Sequence, residues 1–267
     1  MNRILNSLAS LVVLFASSVA VAQEAPKQEC CTQLKIDWSA DASLYSLDKG
    51  SIFVLSDELS TKLTDKVTIG VGLDVISNEN AATGQQLAWQ LNNGISEGSG
   101  TGLSDVDLFA KYDAFQGKCD YLQADVSFAL NGGLYIPIDA EYSSSAATAH
   151  VGADIGVKKD KFELVQGFNY TFTGDYTFNP VFGGYIVDDV IEFDTTLTYE
   201  VAQMIKFGVK VDQQYSGSYN VFTLGPIVDM KLSDRATLSA EVGFAVSEDI
   251  PYDGLNSVVG LGFKYTF

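Results

Sequence analysis

The strongest constraint on the fold is a series of long runs in which apolar and polar residues alternate with period two. This alternation is typical of β-strands with one apolar and one polar face. In the last run, every odd position from 259 to 267 is apolar or aromatic, whereas the even positions carry glycine, lysine and threonine. The runs have about 10 to 13 residues, close to the 9–11 of tilted membrane strands and above the 5–6 of average soluble strands. We therefore predict membrane-spanning strands whose apolar faces meet lipid.

The connections between the runs alternate in length. Short polar turns are predicted at 64–66, 158–161 and 233–235, and longer loops rich in Gly, Ser, Asn and Asp at 77–102, 139–146, 173–189, 216–219 and 247–254. Short turns on one side and long loops on the other are typical of outer-membrane barrels. The sequence therefore predicts an all-β protein, a single transmembrane antiparallel up-and-down β-barrel, in the outer membrane of a Gram-negative bacterium.

The strand count follows from the even number and periplasmic termini expected of a single-chain bacterial barrel. Eleven runs are evident, near 50–63, 66–77, 103–114, 121–138, 147–158, 161–173, 189–200, 204–215, 220–232, 235–247 and 255–267. A twelfth strand is expected near 33–47, where Leu34, Ile36 and Trp38 alternate with Lys35 and Asp37. We predict twelve strands, with ten as the alternative.

The first residues are typical of a secretory signal peptide. Arg3 precedes an apolar run at 11–16, and Ala20-Val21-Ala22 supplies the small residues of a cleavage site. The apolar run is shorter than the roughly 20 residues that a spanning helix needs. We predict a signal peptide at 1–22, a periplasmic N-terminal segment at 23–32 and the barrel at 33–267.

The polar faces of the strands are expected to line the lumen, since a Lys or Arg at the membrane midplane costs about 2–4 kcal/mol. Eleven acids and seven bases fall on these faces, which predicts a weak preference for cations. Asp57 and Gln166 fall on the apolar face instead, which requires a bulge, a register error or an interfacial position. Besides Asp74 and Asp212, the predicted lumen-lining residues are Glu58, Lys62, Asp107, Lys111, Asp125, Asp154, Lys158, Glu163, Glu192, Asp194, Lys206, Lys210, Asp229, Lys231, Glu241 and Lys264.

Composition excludes several other functions. The formal net charge of −18 argues against nucleic acid as a partner. One His and three Cys leave little material for a transition-metal site, and we expect no metal and no cofactor. His150 follows Ser143, Ser144 and Ser145, but it falls on the inner face and no orienting Asn or Asp is evident. We therefore expect no enzyme activity.

The cysteines are all predicted to lie on the periplasmic side. Cys30 and Cys31 precede the barrel, and Cys119 falls in a predicted turn at 116–121. Export places them in an oxidising compartment. We expect Cys119 to pair with Cys30 or Cys31 and to tie the N-terminal segment to the barrel base.

Two segments resemble known outer-membrane proteins. The terminal residues Phe263, Tyr265 and Phe267, at alternate positions, are similar to the assembly signal of bacterial outer-membrane barrels. The segment 102–112 (GLSDVDLFAKY) resembles a strand of the meta-pathway phenol-degradation family of small Gram-negative barrels. Twelve-stranded nucleoside channels are a similar alternative, and neither resemblance assigns substrate residues to this chain.

The resemblance implies transport of small solutes, aromatic or apolar ones among them. We expect a porin-like channel for passive diffusion, which contacts outer-membrane lipid, lipopolysaccharide, the barrel-assembly machinery and a small-molecule solute. The alternative is a closed structural or surface-interaction barrel, in which the inner charges form ion pairs that fill the lumen.

Overall fold

The computed structural model describes residues 35–47, 50–78, 100–138, 147–172, 176–177, 186–187, 189–216, 219–249 and 255–267. The predicted signal peptide, the N-terminal segment, Cys30, Cys31 and most residues of the predicted long loops lie outside the described residues. Within the described residues, no helix is long and apolar enough to cross a membrane.

Twelve antiparallel strands form one closed barrel. Two further strands, β8 (Tyr176–Thr177) and β9 (Ile186–Val187), pair only with each other. Around the barrel the order is β1-β14-β13-β12-β11-β10-β7-β6-β5-β4-β3-β2. The barrel strands are β1 (Ile36–Leu47), β2 (Ser51–Lys62), β3 (Val67–Asn78), β4 (Gly100–Cys119), β5 (Ala124–Ile136), β6 (Thr148–Lys159), β7 (Phe162–Phe172), β10 (Val190–Ala202), β11 (Ile205–Ser216), β12 (Tyr219–Lys231), β13 (Ala236–Asp249) and β14 (Leu255–Thr266).

The seam between the first and last strands closes the sheet. β1 pairs with β14 from Asp37–Thr266 to Leu47–Leu255, and the Phe267 amide donates to the Ile36 carbonyl oxygen at 2.9 Å. The twelve-stranded, all-β, up-and-down barrel is therefore confirmed, and the strand expected near 33–47 is β1. A closed barrel leaves no strand edge, which is the condition for a sheet to cross a membrane.

The outer surface of the barrel is apolar. Large apolar side chains at alternate strand positions have no protein outside them, and Leu197, Phe207 and Leu261 are 48%, 51% and 56% exposed. A soluble protein would bury such a band against a second layer. Its exposure around a closed barrel is what a lipid-facing wall requires.

The described turns lie at one end of the barrel, which we call the turn end; the opposite end is the loop end. The turns comprise 63–66, 120–123, 160–161, 203–204 and 232–235. The turn predicted at 116–121 is wrong in its start, because β4 continues to Cys119 and turns only at 120–123. The Lys118–Asp125 and Cys119–Ala124 pairs, which follow a bulge between Asp113 and Phe115, extend the ladder past the predicted end.

Asp57 and Gln166, the two polar residues on the apolar outer face, form hydrogen bonds with neighbouring residues. The Trp38 Nε1–H donates to Asp57 Oδ1 at 3.0 Å. Gln166 donates from Nε2 to the Asp194 carbonyl oxygen at 2.8 Å, and Thr195 Oγ1 donates to Gln166 Oε1 at 2.6 Å. The ladders on both sides of each residue are in regular register, so a bulge and a register error are excluded, and the interfacial position stays a prediction. Local hydrogen bonds lower the cost of the polar groups instead.

β12 and β13 approach each other closely at a glycine of β12. A Cβ on Gly225 would lie 1.6 Å from the carbonyl oxygen of Val242 on β13, far inside van der Waals contact. The next residue, Pro226, has no N–H for the ladder. Only glycine therefore fits at 225 without moving one strand away from the other.

We predict that Gly225→Ala destabilises the folded barrel by about 1–3 kcal/mol or more, because the added methyl group must displace backbone. The measurement is urea unfolding of the refolded protein in detergent, followed by tryptophan fluorescence. Gly72→Ala is the matched control, since its Cβ would be 3.6 Å from its nearest neighbour, an ordinary contact. Equal unfolding midpoints for the two variants would contradict the packing at Gly225.

Candidate functional site

Ion pairs that cross an intervening strand identify the inner face of the barrel. Lys111 on β4 lies 2.5 Å from Asp154 on β6, with β5 between them. Lys206 on β11 lies 2.5 Å from Glu163 on β7, with β10 between them. Side chains converge on the concave side of a curved sheet and diverge on the convex side. These pairs therefore point into the lumen.

Glycines leave room for the side chains that lie along this wall. His150 on β6 reaches Asp107 on β4 across Gly133 of β5, and a Cβ on Gly133 would be 2.5 Å from His150 Nε2. Gly167 lies against Asp194 in the same way, with its Cβ position inside contact distance of that carboxylate. Gly133 and Gly167 thus leave space for the charged and polar side chains that lie along the inner wall.

His150 is held by an acid that the sequence did not reveal. The imidazole is 8% exposed, its Nε2 lies 3.0 Å from Asp107 Oδ1, and its ring lies 4.8 Å from the ring of Tyr135. The statement that no orienting Asp is evident is therefore wrong, because Asp107 is 43 residues away in sequence. Ser143, Ser144 and Ser145 lie outside the described residues. The contacts give His150 a packed position in the wall.

A group of carboxylates surrounds Lys210 on β11. Its Nζ lies 3.0 Å from Glu241 on β13 and 3.5 Å from Asp212 on its own strand. Asp212 is directly opposite Asp194 of β10 in the ladder. Two like charges in such a pair repel, so the ammonium group stabilises an otherwise unfavourable arrangement.

Glu192 is held by amides rather than by a base. Asn169 Nδ2 donates to its Oε2 at 3.2 Å, and Gln214 Nε2 donates to its Oε1. The three residues are neighbours in the ladders of β7, β10 and β11. This carboxylate therefore keeps its position in the wall without a lysine partner among these contacts.

A cavity of about 470 Å³ lies at the turn end of the lumen. Directly opposite pairs of its lining include Lys206–Asp229 and Lys206–Glu200. Its charged lining residues are Asp41, Glu200, Lys206, Asp229, Lys231 and Lys264. Acids and bases are mixed here, and the cavity is large enough for a small solute with its water.

Four further predicted lumen residues, Lys62, Asp125, Lys158 and Glu163, lie at the strand ends next to the turns. Asp125 is opposite Lys158, which is in turn opposite Glu163. Lys62 pairs with Asp113 at 3.7 Å, and Glu58 is opposite Ser39 of β1. Charges near this end are therefore spread around the rim rather than gathered in one group.

Lys231 lies at the end of β12 next to the turn, away from the group around Lys210. Its Nζ lies 2.7 Å from Asp234 Oδ1 in the turn at 232–235. That hydrogen bond and the positive charge of Lys231 hold the pKa of the Asp234 carboxyl below its usual value. The pair therefore belongs to the exposed rim.

An apolar cluster lies inside the loop end of the barrel. Ile52 and Val54 of β2, Ile76 of β3, Val221 of β12 and Leu255 of β14 are all less than 9% exposed and pack together. The sequence did not predict this cluster, because each inner face was expected to be polar throughout. The signal was the run Ile52-Phe53-Val54-Leu55, which is apolar on both faces of the strand.

The terminal aromatic residues lie at the turn end of the seam. The Tyr265 and Phe267 rings are 4.9 Å apart, and the Phe263 ring is 5.6 Å from Trp38 of β1. Among the described cysteines, Cys119 is a free thiol. Since Cys30 and Cys31 lie outside the described residues, the disulfide stays a prediction.

Solved structures share this architecture. An outer-membrane channel of the COG4313 group from Pseudomonas putida F1 superposes with a TM-score of 0.61 at 10% identity, over 91% of this chain and 100% of that chain. The NanC porin superposes with a TM-score of 0.56 at 9% identity, over 86% and 100% of the two chains. The KdgM porin, in complex with disordered oligogalacturonate, gives 0.50 at 13% identity, over 86% and 99%. At these identities the likeness shows the fold, which is that of outer-membrane channels.

Sequence comparison identifies the family. No curated protein sequence matches this chain. The family model described as "Putative MetA-pathway of phenol degradation" matches residues 31–252. This match includes the segment 102–112 that suggested the resemblance, and it spans all but the last barrel strand. The chain therefore belongs to the family of outer-membrane β-barrel proteins described by that model.

Proposed function

We propose that the protein is an outer-membrane channel of a Gram-negative bacterium through which small solutes diffuse passively, with a weak preference for cations. The observation that carries this proposal is the closed twelve-stranded wall with charged side chains on its concave face. A barrel that only anchors a protein in lipid does not need to place charges where burial makes them costly. A water-filled passage makes such placement inexpensive.

The dimensions of the barrel suit small solutes. Twelve strands about 4.8 Å apart and tilted by about 40° give a backbone radius of roughly 12 Å. Inner side chains narrow the passage to about 10 Å or less. A small molecule or an ion fits this space, whereas a folded protein is too large.

The inner charge favours cations modestly. Acids outnumber bases on the polar faces, and a low-dielectric wall concentrates their field in the lumen. Lys111, Lys206 and Lys210 each neutralise at least one carboxylate, which limits the net field. This balance supports a weak preference and argues against strong exclusion of anions.

The apolar cluster at the loop end supports passage of solutes with an apolar or aromatic part. The partly buried Tyr45, Ala245 and Val258, which pack against the buried cluster, give that part of the inner wall a largely apolar surface. A ring or alkyl group loses little solvation free energy when it leaves water and contacts such a surface. The family description, which refers to phenol degradation, is in keeping with a solute of this kind.

We propose that the short turns face the periplasm and the loop end faces the cell exterior. At the turn end, the Lys66 and Lys161 amines lie 6.0 Å from the ring centroids of Tyr112 and Tyr199. Aromatic rings with adjacent cations suit the headgroup region of a bilayer. The lipid, lipopolysaccharide and barrel-assembly machinery named above would be the partners in that membrane.

The second candidate is a closed structural or surface-interaction barrel. The ion pairs across the inner wall and the packed apolar cluster favour this alternative, because both fill space within the barrel. The two functions differ in conductance, since only the first requires a continuous aqueous path.

We predict stepwise current increases when the refolded mature protein is added to planar lipid bilayers. Under a KCl gradient, the reversal potential should correspond to a K⁺ to Cl⁻ permeability ratio of about two to five. Current at background level at every voltage would exclude the channel and support the closed barrel. A ratio below one would leave the channel in place but contradict the cation preference.

We predict that proteoliposomes swell in solutions of small neutral and cationic solutes, and more slowly in anionic solutes of the same size. The panel comprises sugars, nucleosides, amino acids, aromatic amines and aromatic acids, and protein-free liposomes are the control. An aromatic amine should enter faster than the aromatic acid of matched size. The reverse order would contradict the assignment of charge in the lumen.

A further inference from the structure

The group around Lys210 differs from the other ion pairs of the inner wall in its ratio of charges. Lys111 has Asp154 as its ion-pair partner, in a one-to-one pair. Lys210 contacts two carboxylates, those of Glu241 and Asp212, at 3.0 and 3.5 Å. One ammonium group thus forms ion pairs with more than one carboxylate.

Two further carboxylates lie within the electrostatic range of Lys210. Asp194 is directly opposite Asp212 in the ladder between β10 and β11. Asp41 on β1 lies over Gly262 of β14, and Glu241 on β13 lies over Gly260, the next inner position of the same strand. Carboxylates from β1, β10, β11 and β13 therefore lie on one part of the inner wall, and Lys210 forms ion pairs with two of them.

The wall around Lys210 leaves space for its amine to extend inward. Gly225 is directly opposite Lys210 on β12 and has no side chain, so the lysine reaches Glu241 of β13 over an open strand. Lysine carries a point charge on a flexible four-carbon stem. Its amine can therefore lie between the carboxylates or move away from them with little change in the barrel backbone.

We propose that Lys210 is a specificity-determining residue of the lumen, a tethered counter-ion that competes with permeating cations for the surrounding carboxylates. This inference rests on the proposed channel function. The ammonium group holds the position that a mobile cation would otherwise take between Glu241 and Asp212. It thereby keeps the cation preference of the lumen weak despite the four acids on this part of the wall.

The test compares Lys210→Met with wild type in planar bilayers under a KCl gradient. Methionine keeps an unbranched chain of similar length and removes the charge. The K⁺ to Cl⁻ permeability ratio of Lys210→Met should rise by about threefold or more. Lys210→Arg retains the charge and should resemble wild type. Lys111→Met is the matched control, since it removes an inner lysine with one acidic partner and should change the ratio less.

A second measurement does not depend on conductance. In the refolded full-length mature protein in detergent, Ca²⁺ at about 1 mM should raise the thermal unfolding temperature of Lys210→Met more than that of wild type or Lys111→Met. Mobile Ca²⁺ would replace the lost ammonium group among the carboxylates. Heat-modifiable gel migration verifies that each variant has formed a barrel.

The outcomes separate the two proposals. If wild type conducts but Lys210→Met has an unchanged or lower permeability ratio, the role of Lys210 is overturned and the channel function stands. If wild type does not conduct, the channel function and the selectivity role of Lys210 both fail, and Ca²⁺ stabilisation confined to Lys210→Met then shows only that Lys210 neutralises the surrounding carboxylates. Equal Ca²⁺ stabilisation of all folded variants overturns it. If Lys210→Met fails to fold, the double variant Asp212→Asn/Lys210→Met is measured in its place. Folding of this double variant without stabilisation by Ca²⁺ supports the same charge balance.

Discussion

The structure depends on pairing every backbone amide and carbonyl of the membrane-spanning wall, because hydrocarbon offers no alternative partner. The seam between β1 and β14 fulfils this condition, and the Phe267 amide completes it at the turn end with the Ile36 carbonyl oxygen. Because every strand pair is antiparallel, including the pair at the seam, the number of strands in the closed barrel must be even. It also fixes which side of each strand is concave, so the backbone requirement decides where side-chain charges can be placed. The apolar exterior and the charged interior both follow from it.

A concave wall crowds its side chains, and this crowding explains the distribution of residue types inside the barrel. Long charged side chains reach across one strand to a partner on the next, and two of these crossings lie over a glycine: Gly133 beneath His150 and Asp107, and Gly225 beneath Lys210 and Glu241. On the convex side the side chains diverge and meet lipid. Polar groups there survive only when immediate neighbours bond them, as Trp38 does for Asp57. The alternation in the sequence therefore reflects both which side of each strand meets lipid and which side of the sheet is concave.

The sequence predicted those features that depend on local periodicity. Alternation identified the twelve strands, including β1 from only a few residues, because each strand must keep one face in lipid over its whole length. The contacts of the inner wall could not be predicted in this way. Asp107 and His150 are separated by 43 residues, as are Lys111 and Asp154, so their meeting depends on the register of an intervening strand. The apolar cluster around Ile52 and Ile76 was missed because inner-face polarity was assumed to be uniform along each strand. The end of β4 was misplaced because a bulge near Asp113 shifts the ladder without any change in composition.

The inner acids create a tension between stability and passage. Asp194 opposite Asp212 is unfavourable as a strand pair, and a cation beside it is required to offset the repulsion. A barrel that supplied one base for every acid would be more stable, but its lumen would carry no net field. A barrel that supplied none would bind mobile cations tightly and slow their release. One flexible lysine shared among several carboxylates lies between these limits. It stabilises the wall when no cation is present, and it can move aside when one is. In the proposed channel, the side chains that neutralise the wall are the same ones that a permeating solute would meet, so the proposal makes fold stability and selectivity depend on one group of charges.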